Sequence, residues 1–208
     1  SHFFSKYTKS FIGKDNSIND LSINIQDTSN DKYLKLYKIK SNLVDYNDDV
    51  LESSLNFTHQ KEDLFFGLDV SVYETTKESY EDKYEYIIPE LTLDKYLFND
   101  EKIGSLELQS KFKARSYDTN KLESFFINDF NWESRNFLSK SNLNTKLLGN
   151  LKNINYESKN VDGYKEDFTT ELFGAIGLLS KVDLIKIKND SEQFLTPKLL
   201  VRLSPGSM

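Results

Sequence analysis

Apolar and polar side chains alternate with a period of two along most of this chain. Leu21, Ile23 and Ile25 alternate with Ser22 and Asn24. Leu51, Leu55 and Phe57 share a parity with Ser53, while Glu52, Ser54 and Asn56 take the other. Phe66, Leu68, Val70 and Val72 alternate with Gly67, Asp69 and Ser71, and Tyr84, Tyr86 and Ile88 with Glu85 and Ile87. Leu91 and Leu93, then Leu106 and Leu108, then Phe112 and Ala114 continue the pattern. Successive side chains of a strand point to opposite faces, so the pattern predicts an antiparallel sheet with one apolar and one polar face. Helical spacing fits none of these runs as well.

Polar breaks separate the runs. Residues 60–63, 99–102 and 116–120 carry the Asn and Asp that tolerate unusual backbone angles and bond their own backbone, and they predict hairpin turns. Longer polar stretches fall at about 40–49, 74–83, 157–166 and 186–193, so short and long connections roughly alternate. Transmembrane barrels show that asymmetry. The runs 103–115 and 121–133 predict strands of a dozen residues, well above the usual five or six. Residues 134–156 read as two strands, because Asn142, Asn144, Asn150, Asn153, Asn155 and Gly149 disfavour the helix that their leucine spacing would allow. Leu172–Leu179 is the most apolar run and suits a lipid-facing or a buried strand. Pro89 and Pro197 each precede a good strand and read as strand starts, and Pro205-Gly206 as a turn.

Composition agrees. Phe (15) and Tyr (12) are plentiful and alanine occurs only at Ala114 and Ala175, a balance that favours strands over helices. No run approaches the roughly 20 apolar residues of a membrane-spanning helix, but barrel strands need only about 9–11, alternating apolar with polar. A hydrophobic fraction of 38% fits a barrel and an ordinary soluble β protein alike. Without cysteine there is neither a disulfide framework nor a thiolate metal site. The net charge of -6, mixed along the chain, gives no footprint for nucleic acid. The N-terminal Ser1-His2-Phe3-Phe4 lacks the pattern of a signal peptide. With no initiator Met and no closing element before Met208, residues 1–208 read as one segment of a longer protein.

Candidate chemistry is sparse. His2 and His59 have no Ser, Cys or second His at motif spacing and read as surface or packed side chains. Asp48-Asp49 and Glu81-Asp82 read as solvated loop charge. No phosphate loop, dinucleotide fingerprint or zincin helix is present. The reading is therefore of a non-enzyme with no catalytic, cofactor-binding or metal residues. Trp132, beside Phe130, suits core packing or an interfacial aromatic girdle. Lys32–Lys38, with lysines between aromatics, reads as a strand with its lysines on the wet face.

Four segments, in order, resemble the lipopolysaccharide-assembly family LptD, the organic solvent tolerance proteins. Ser29–Tyr37 resembles its "ND-x-YL-x-x-Y" segment, Tyr86–Leu93 its "PE" strand, and Phe194–Gly206 its "LTPK…R-x-SPG" strand; Phe126–Asn131 is the fourth. The resemblance implies an internal piece of the C-terminal outer-membrane β-barrel, without the upstream periplasmic jellyroll or the closing strands. It further implies lipopolysaccharide and outer-membrane lipid as partners. For the full-length protein it implies an LptE-like plug lipoprotein and an LptA-like periplasmic bridge. The expected fold is then all-β: antiparallel up-and-down strands forming part of a large transmembrane barrel. A general porin and a soluble extracellular β-sandwich binding module are the alternatives. For strand 65–73 the barrel reading places Phe66, Leu68, Val70 and Val72 toward lipid and Asp69 and Ser71 toward the lumen. Single-cysteine labelling with a lipid-soluble reagent tests this, and labelling of the opposite parity would reject it.

Overall fold

The computed structural model describes residues 1–77, 82–118, 120–140, 143–188 and 191–206. Strands β1 (His2–Ile12) and β2 (Ile18–Thr28) come first, followed by a short helix α1 (Tyr33–Tyr37). Then come β3 (Val50–Lys61), β4 (Leu64–Thr75), β5 (Tyr84–Asp100), β6 (Gly104–Tyr117) and β7 (Lys121–Glu133). The chain continues through β8 (Leu138–Lys140), β9 (Leu143–Lys159), β10 (Thr169–Val182), β11 (Leu184–Lys188), β12 (Ser191–Leu195) and β13 (Lys198–Leu203). Ten strands pair as an antiparallel meander in the order β1-β2-β3-β4-β5-β6-β7-β9-β10-β13, with β8 added beside β9 and β11–β12 as a separate two-stranded sheet. The protein is thus all-β, as its alternation predicts. β1 and β13 end the path, so the described strands form an open sheet and not a closed barrel.

The turns follow from local chemistry. Between β3 and β4 only Glu62 and Asp63 intervene, Lys61 pairs Leu64, and Glu62 takes a left-handed φ of 41°. Asp100 accepts the amides of Lys102 and Ile103 (2.8 and 2.9 Å) and so closes the β5–β6 turn. The next residue must be glycine: Gly104 has φ 107°, and a Cβ there would lie 2.0 Å from the Glu133 carbonyl oxygen. Gly13–Ser17 closes the β1–β2 hairpin through Gly13 N–H donating to Ser17 O (2.8 Å), with Asn16 at φ 63°.

The chain divides into two compact units. The first comprises residues 1–94, 110–127 and 154–170; the second comprises 95–109, 128–153 and 171–208. The long connections 29–49, 76–83 and 160–168 all belong to the first. A buried apolar cluster, Leu34, Val44 and Leu51, is flanked by Phe4, Ile39, Leu43 and Tyr46 and anchors the 29–49 connection. Gln26 stitches the same connection: its amide donates to Leu43 O (2.7 Å) and its carbonyl accepts the Glu52 amide (2.9 Å).

Several sequence expectations change. Lys32–Lys38 is not a strand but contains α1, capped by Lys38 in the left-handed region. A strand would put Leu34 and Leu36 on one face, whereas Leu34 is 2% exposed in the cluster and Leu36 is 70% exposed. Burial of a single leucine under the connection decides that segment. Pro89 does not start a strand; it lies inside β5, after a cis Ile88–Pro89 bond. Of the polar stretch 186–193, residues 186–188 and 191–193 belong to strands β11 and β12, which pair with each other, Ile185 against Phe194. The alternation of short and long connections holds through 101–103 and fails at the short 118–120. Two strands fall within 134–156, as expected, the three-residue β8 and most of β9, and Pro197 immediately precedes β13. Glu81, Thr119, Asn142 and Met208, which figure in the sequence reading, lie outside the described residues.

The apolar cluster generates a test. Leu34→Ala removes a fully buried side chain, for which about 2–5 kcal/mol of destabilisation is typical. The loss should be confined to the 29–49 connection, so limited trypsin digestion should cut at Lys35 or Lys38 while β3–β4 stay protected.

Candidate functional site

The candidate site is a pair of surfaces rather than a catalytic cluster. In β1–β4 the register lines up side chains of one kind across the strands, with Lys9 of β1 the exception in the rows named here. Tyr7, Ile23, Leu55 and Val70 form one row of the apolar face, and Lys9, Leu21, Phe57 and Leu68 the next. On the opposite face Thr8, Ser22, Asn56 and Asp69 form a row, as do Lys6, Asn24, Ser54 and Ser71. The apolar positions of β4 run from Leu64 to Val72, nine residues, which matches the roughly 9–11 that cross a bilayer as a strand. None of these apolar side chains is buried: Ile23, Leu55, Val70 and Leu68 are half-buried and Tyr7 is exposed. Among the described residues Leu34, Val44, Leu51 and Ala175 are the buried hydrophobics, and three of them belong to the anchoring cluster.

The polar face of the first unit is charged and internally paired. Glu90 bridges Lys111 (2.6 Å) and Lys113 (3.1 Å), and Arg115 reaches Glu85 (2.7 Å) and Glu123 (3.9 Å). Lys111, Lys113 and Arg115 share one parity of β6, yet Glu85 and Glu90 have opposite parities of β5. The strand therefore changes phase between them. Pro89, which cannot donate to a ladder and is tolerated at bulges, lies in that interval. The phase change also explains why Tyr84, Tyr86 and Ile88 are even-numbered and Leu91 and Leu93 odd-numbered apolar positions. At the top of β4, Lys83 sits between Asp31 (2.7 Å) and Glu74 (2.8 Å). The hydrogen bond to Asp31, and then that to Glu74, holds its ammonium well above the usual lysine range. In the β1–β2 turn, the Ser17 hydroxyl (2.7 Å) and Lys61 (3.1 Å) keep the Asp15 carboxyl well below the usual range.

The second unit repeats the division. One face forms a recess of about 650 Å³ in which Glu107, Gln109, Asp129, Asn131, Lys152 and Arg202 mix with Tyr96, Leu148, Phe173 and Leu200. Lys152 pairs Asp129 (3.2 Å), Asn150 donates to Asn131 (2.8 Å), and Lys146 pairs Glu133. Its other face is a shallow apolar groove formed by Leu106, Phe130, Trp132, Leu151, Ile176 and Leu203. Gly149 lies beneath Trp132, with the position of a Cβ 3.4 Å from the indole ring. Along β10 and β13, Ile176 pairs Leu203 and Leu178 pairs Val201, all four exposed on the apolar side.

The residues considered for chemistry are accounted for structurally. His2 stacks on Phe4 and meets Tyr33 at 5.2 Å, and His59 Nδ1 hydrogen-bonds Asn19 Oδ1 (2.7 Å). Asp48 accepts the Asp45 amide and Asp49 pairs Lys35 (2.8 Å), so both carboxylates order the connection before β3. Among the described residues no cluster of His, Cys, Asp and Glu could hold a metal ion. Trp132 belongs to the apolar groove. Sequence reasoning missed the Glu85/Glu90 phase change, whose signal was the switch from even to odd apolar positions around Pro89. It also missed the paired recess, because ion pairs between strands have no spacing in sequence. The chain matches no known protein-family model and no curated protein sequence.

The Trp132–Gly149 contact can be probed directly, since Trp132 is the sole tryptophan. Gly149→Ala adds a methyl at ordinary contact distance and should leave emission and stability unchanged. Gly149→Val adds carbons that must displace the ring and should cost about 1–3 kcal/mol, the range for overpacking. Urea unfolding followed by tryptophan emission distinguishes the two variants.

Proposed function

We propose that this chain is part of the wall of an outer-membrane β-barrel that assembles lipopolysaccharide into the outer leaflet. One observation carries the membrane half: register-matched rows make one face of β1–β4 apolar and the other polar, and no side chain in the two rows named on the apolar face is buried. In water such a face is a liability; against lipid it is what a transmembrane strand presents, while interstrand hydrogen bonds satisfy the backbone. A β-sandwich would instead bury that face against a second sheet. The apolar groove around Trp132 and the paired charges of the recess support the same division into lipid-facing and lumen-facing sides.

The lipopolysaccharide half rests on the ordered resemblance of Ser29–Tyr37, Tyr86–Leu93, Phe126–Asn131 and Phe194–Gly206 to the lipopolysaccharide-assembly family. In this reading the protein resides in the outer membrane, and its acyl-facing and lumen-facing surfaces handle the two ends of an amphipathic lipid. A plug lipoprotein of the LptE kind and a periplasmic bridge of the LptA kind serve the full-length protein. No catalytic group is required, because the work is partitioning of a lipid between two solvents. The porin alternative shares the architecture and differs in cargo. Depleting the protein and measuring surface lipopolysaccharide separates them: loss of surface lipopolysaccharide is expected, and normal levels after depletion reject the assembly role.

A further inference from the structure

The 160–168 connection is an ordered loop folded onto the polar face of the first unit. Phe125 of β7 has the parity of Glu123, which faces Arg115 and takes a hydrogen bond from the Tyr117 hydroxyl (2.6 Å). Its ring stacks with Tyr156 of β9 at 6.1 Å, and Tyr164, from the middle of the loop, meets both edge-on at 5.6 and 5.9 Å. Three aromatic rings therefore close a triangle on a face otherwise occupied by Glu85, Glu90, Lys111, Lys113 and Arg115. Hydrogen bonds fix the base of the loop. The Ser158 hydroxyl, itself 2% exposed, donates to Lys165 O (2.9 Å). Asn160, at φ 57°, donates its amide to Asn120 O (2.9 Å) in the β6–β7 turn. By contrast Tyr164 remains 46% exposed, so its ring is held on the polar face from one side only.

We infer that residues 160–168 form a strap over the lumen-facing side, latched by Tyr164 on Phe125 and Tyr156, which narrows the passage until a bulky hydrophilic cargo displaces it. This inference rests on the barrel reading, since only there does the polar face line a passage. The rigid base and the partly exposed aromatic latch match what a gate needs: fixed hinges and a weak, reversible closure.

The test uses the full-length protein in its native outer membrane and, purified, in lipid bilayers. Tyr164→Ala should raise vancomycin sensitivity and single-channel conductance several-fold, whereas Tyr164→Phe, which keeps the ring, should match the wild type. The chain has no cysteine, so Phe125→Cys with Tyr164→Cys can be joined by a short bismaleimide. Closing the latch covalently should lower conductance and surface lipopolysaccharide relative to the same variant without cross-linker. Wild-type conductance in an inserted Tyr164→Ala barrel would overturn the strap. If Tyr164→Ala does not insert, an unchanged conductance on cross-linking overturns it equally. A wild-type protein that fails to insert at all would reject the barrel reading instead, so the two failures are distinguishable.

Discussion

Lateral backbone pairing is the constraint on which everything else in this protein depends. Among the described residues the strands of the meander bury only two hydrophobic side chains, Leu51 and Ala175, and the other two buried hydrophobics, Leu34 and Val44, belong to the 29–49 connection. Order comes instead from hydrogen bonds between neighbours, and the side chains of each strand are free to serve two different environments. Because the side-chain period is two, a slip of one residue would exchange those environments for a whole strand. The uninterrupted β3–β4 register, from Val50–Thr75 to Lys61–Leu64, shows how strictly that is avoided. Each apolar row added by one strand raises the cost of a slip in the next.

Departures from strict alternation are handled locally. The phase of β5 changes near Pro89, and Glu85 and Glu90 nonetheless reach the same row of β6 cations. On β9 the apolar parity of Leu147 and Leu151 gives way to Asn153 and Asn155. The Asn153 amide donates to Glu171 O and the Asn155 amide to Phe126 O (both 3.4 Å). Polar groups on the apolar side are thus turned back onto neighbouring backbone, and they mark where the apolar stripe of β9 ends. Lys9, on the apolar parity of β1, lies over the Phe11 ring at 5.7 Å, a contact that covers part of its charge.

The polar side is organised by charge pairs between strands. Exposed ion pairs are worth little individually, but Glu90 with two lysines and Arg115 with two carboxylates form small networks on a half-buried surface. Their value is positional: they keep long side chains down on the sheet and leave a contoured polar surface. The connections 29–49 and 160–168 use the other available device, a few apolar or aromatic side chains set among polar ones. Leu34 and Tyr164 are the respective anchors, one fully buried and one half-exposed. The first lies inside its cluster, and the second rests on Phe125 and Tyr156 with one side open.

Much of this was legible in the residues. The period of two reveals strands, faces, most turns and even the two-strand reading of 134–156, because alternation is imposed by strand geometry wherever two solvents meet one sheet. The absence of cysteine, of motif-spaced histidines and of long apolar helices bounds the chemistry in the same direct way. What the residues could not decide depends on partners distant in sequence. Lys32–Lys38 alternates like a strand yet contains α1, because Val44 and Leu51 offer Leu34 a buried site. Pro89 looks like a strand start yet lies within β5, where Glu85 and Glu90 on either side of it both reach cations of β6. The interstrand ion pairs and the Phe125–Tyr156–Tyr164 triangle likewise join residues 8 to 39 positions apart. Local alternation determines which way a side chain points; only tertiary pairing determines what it meets.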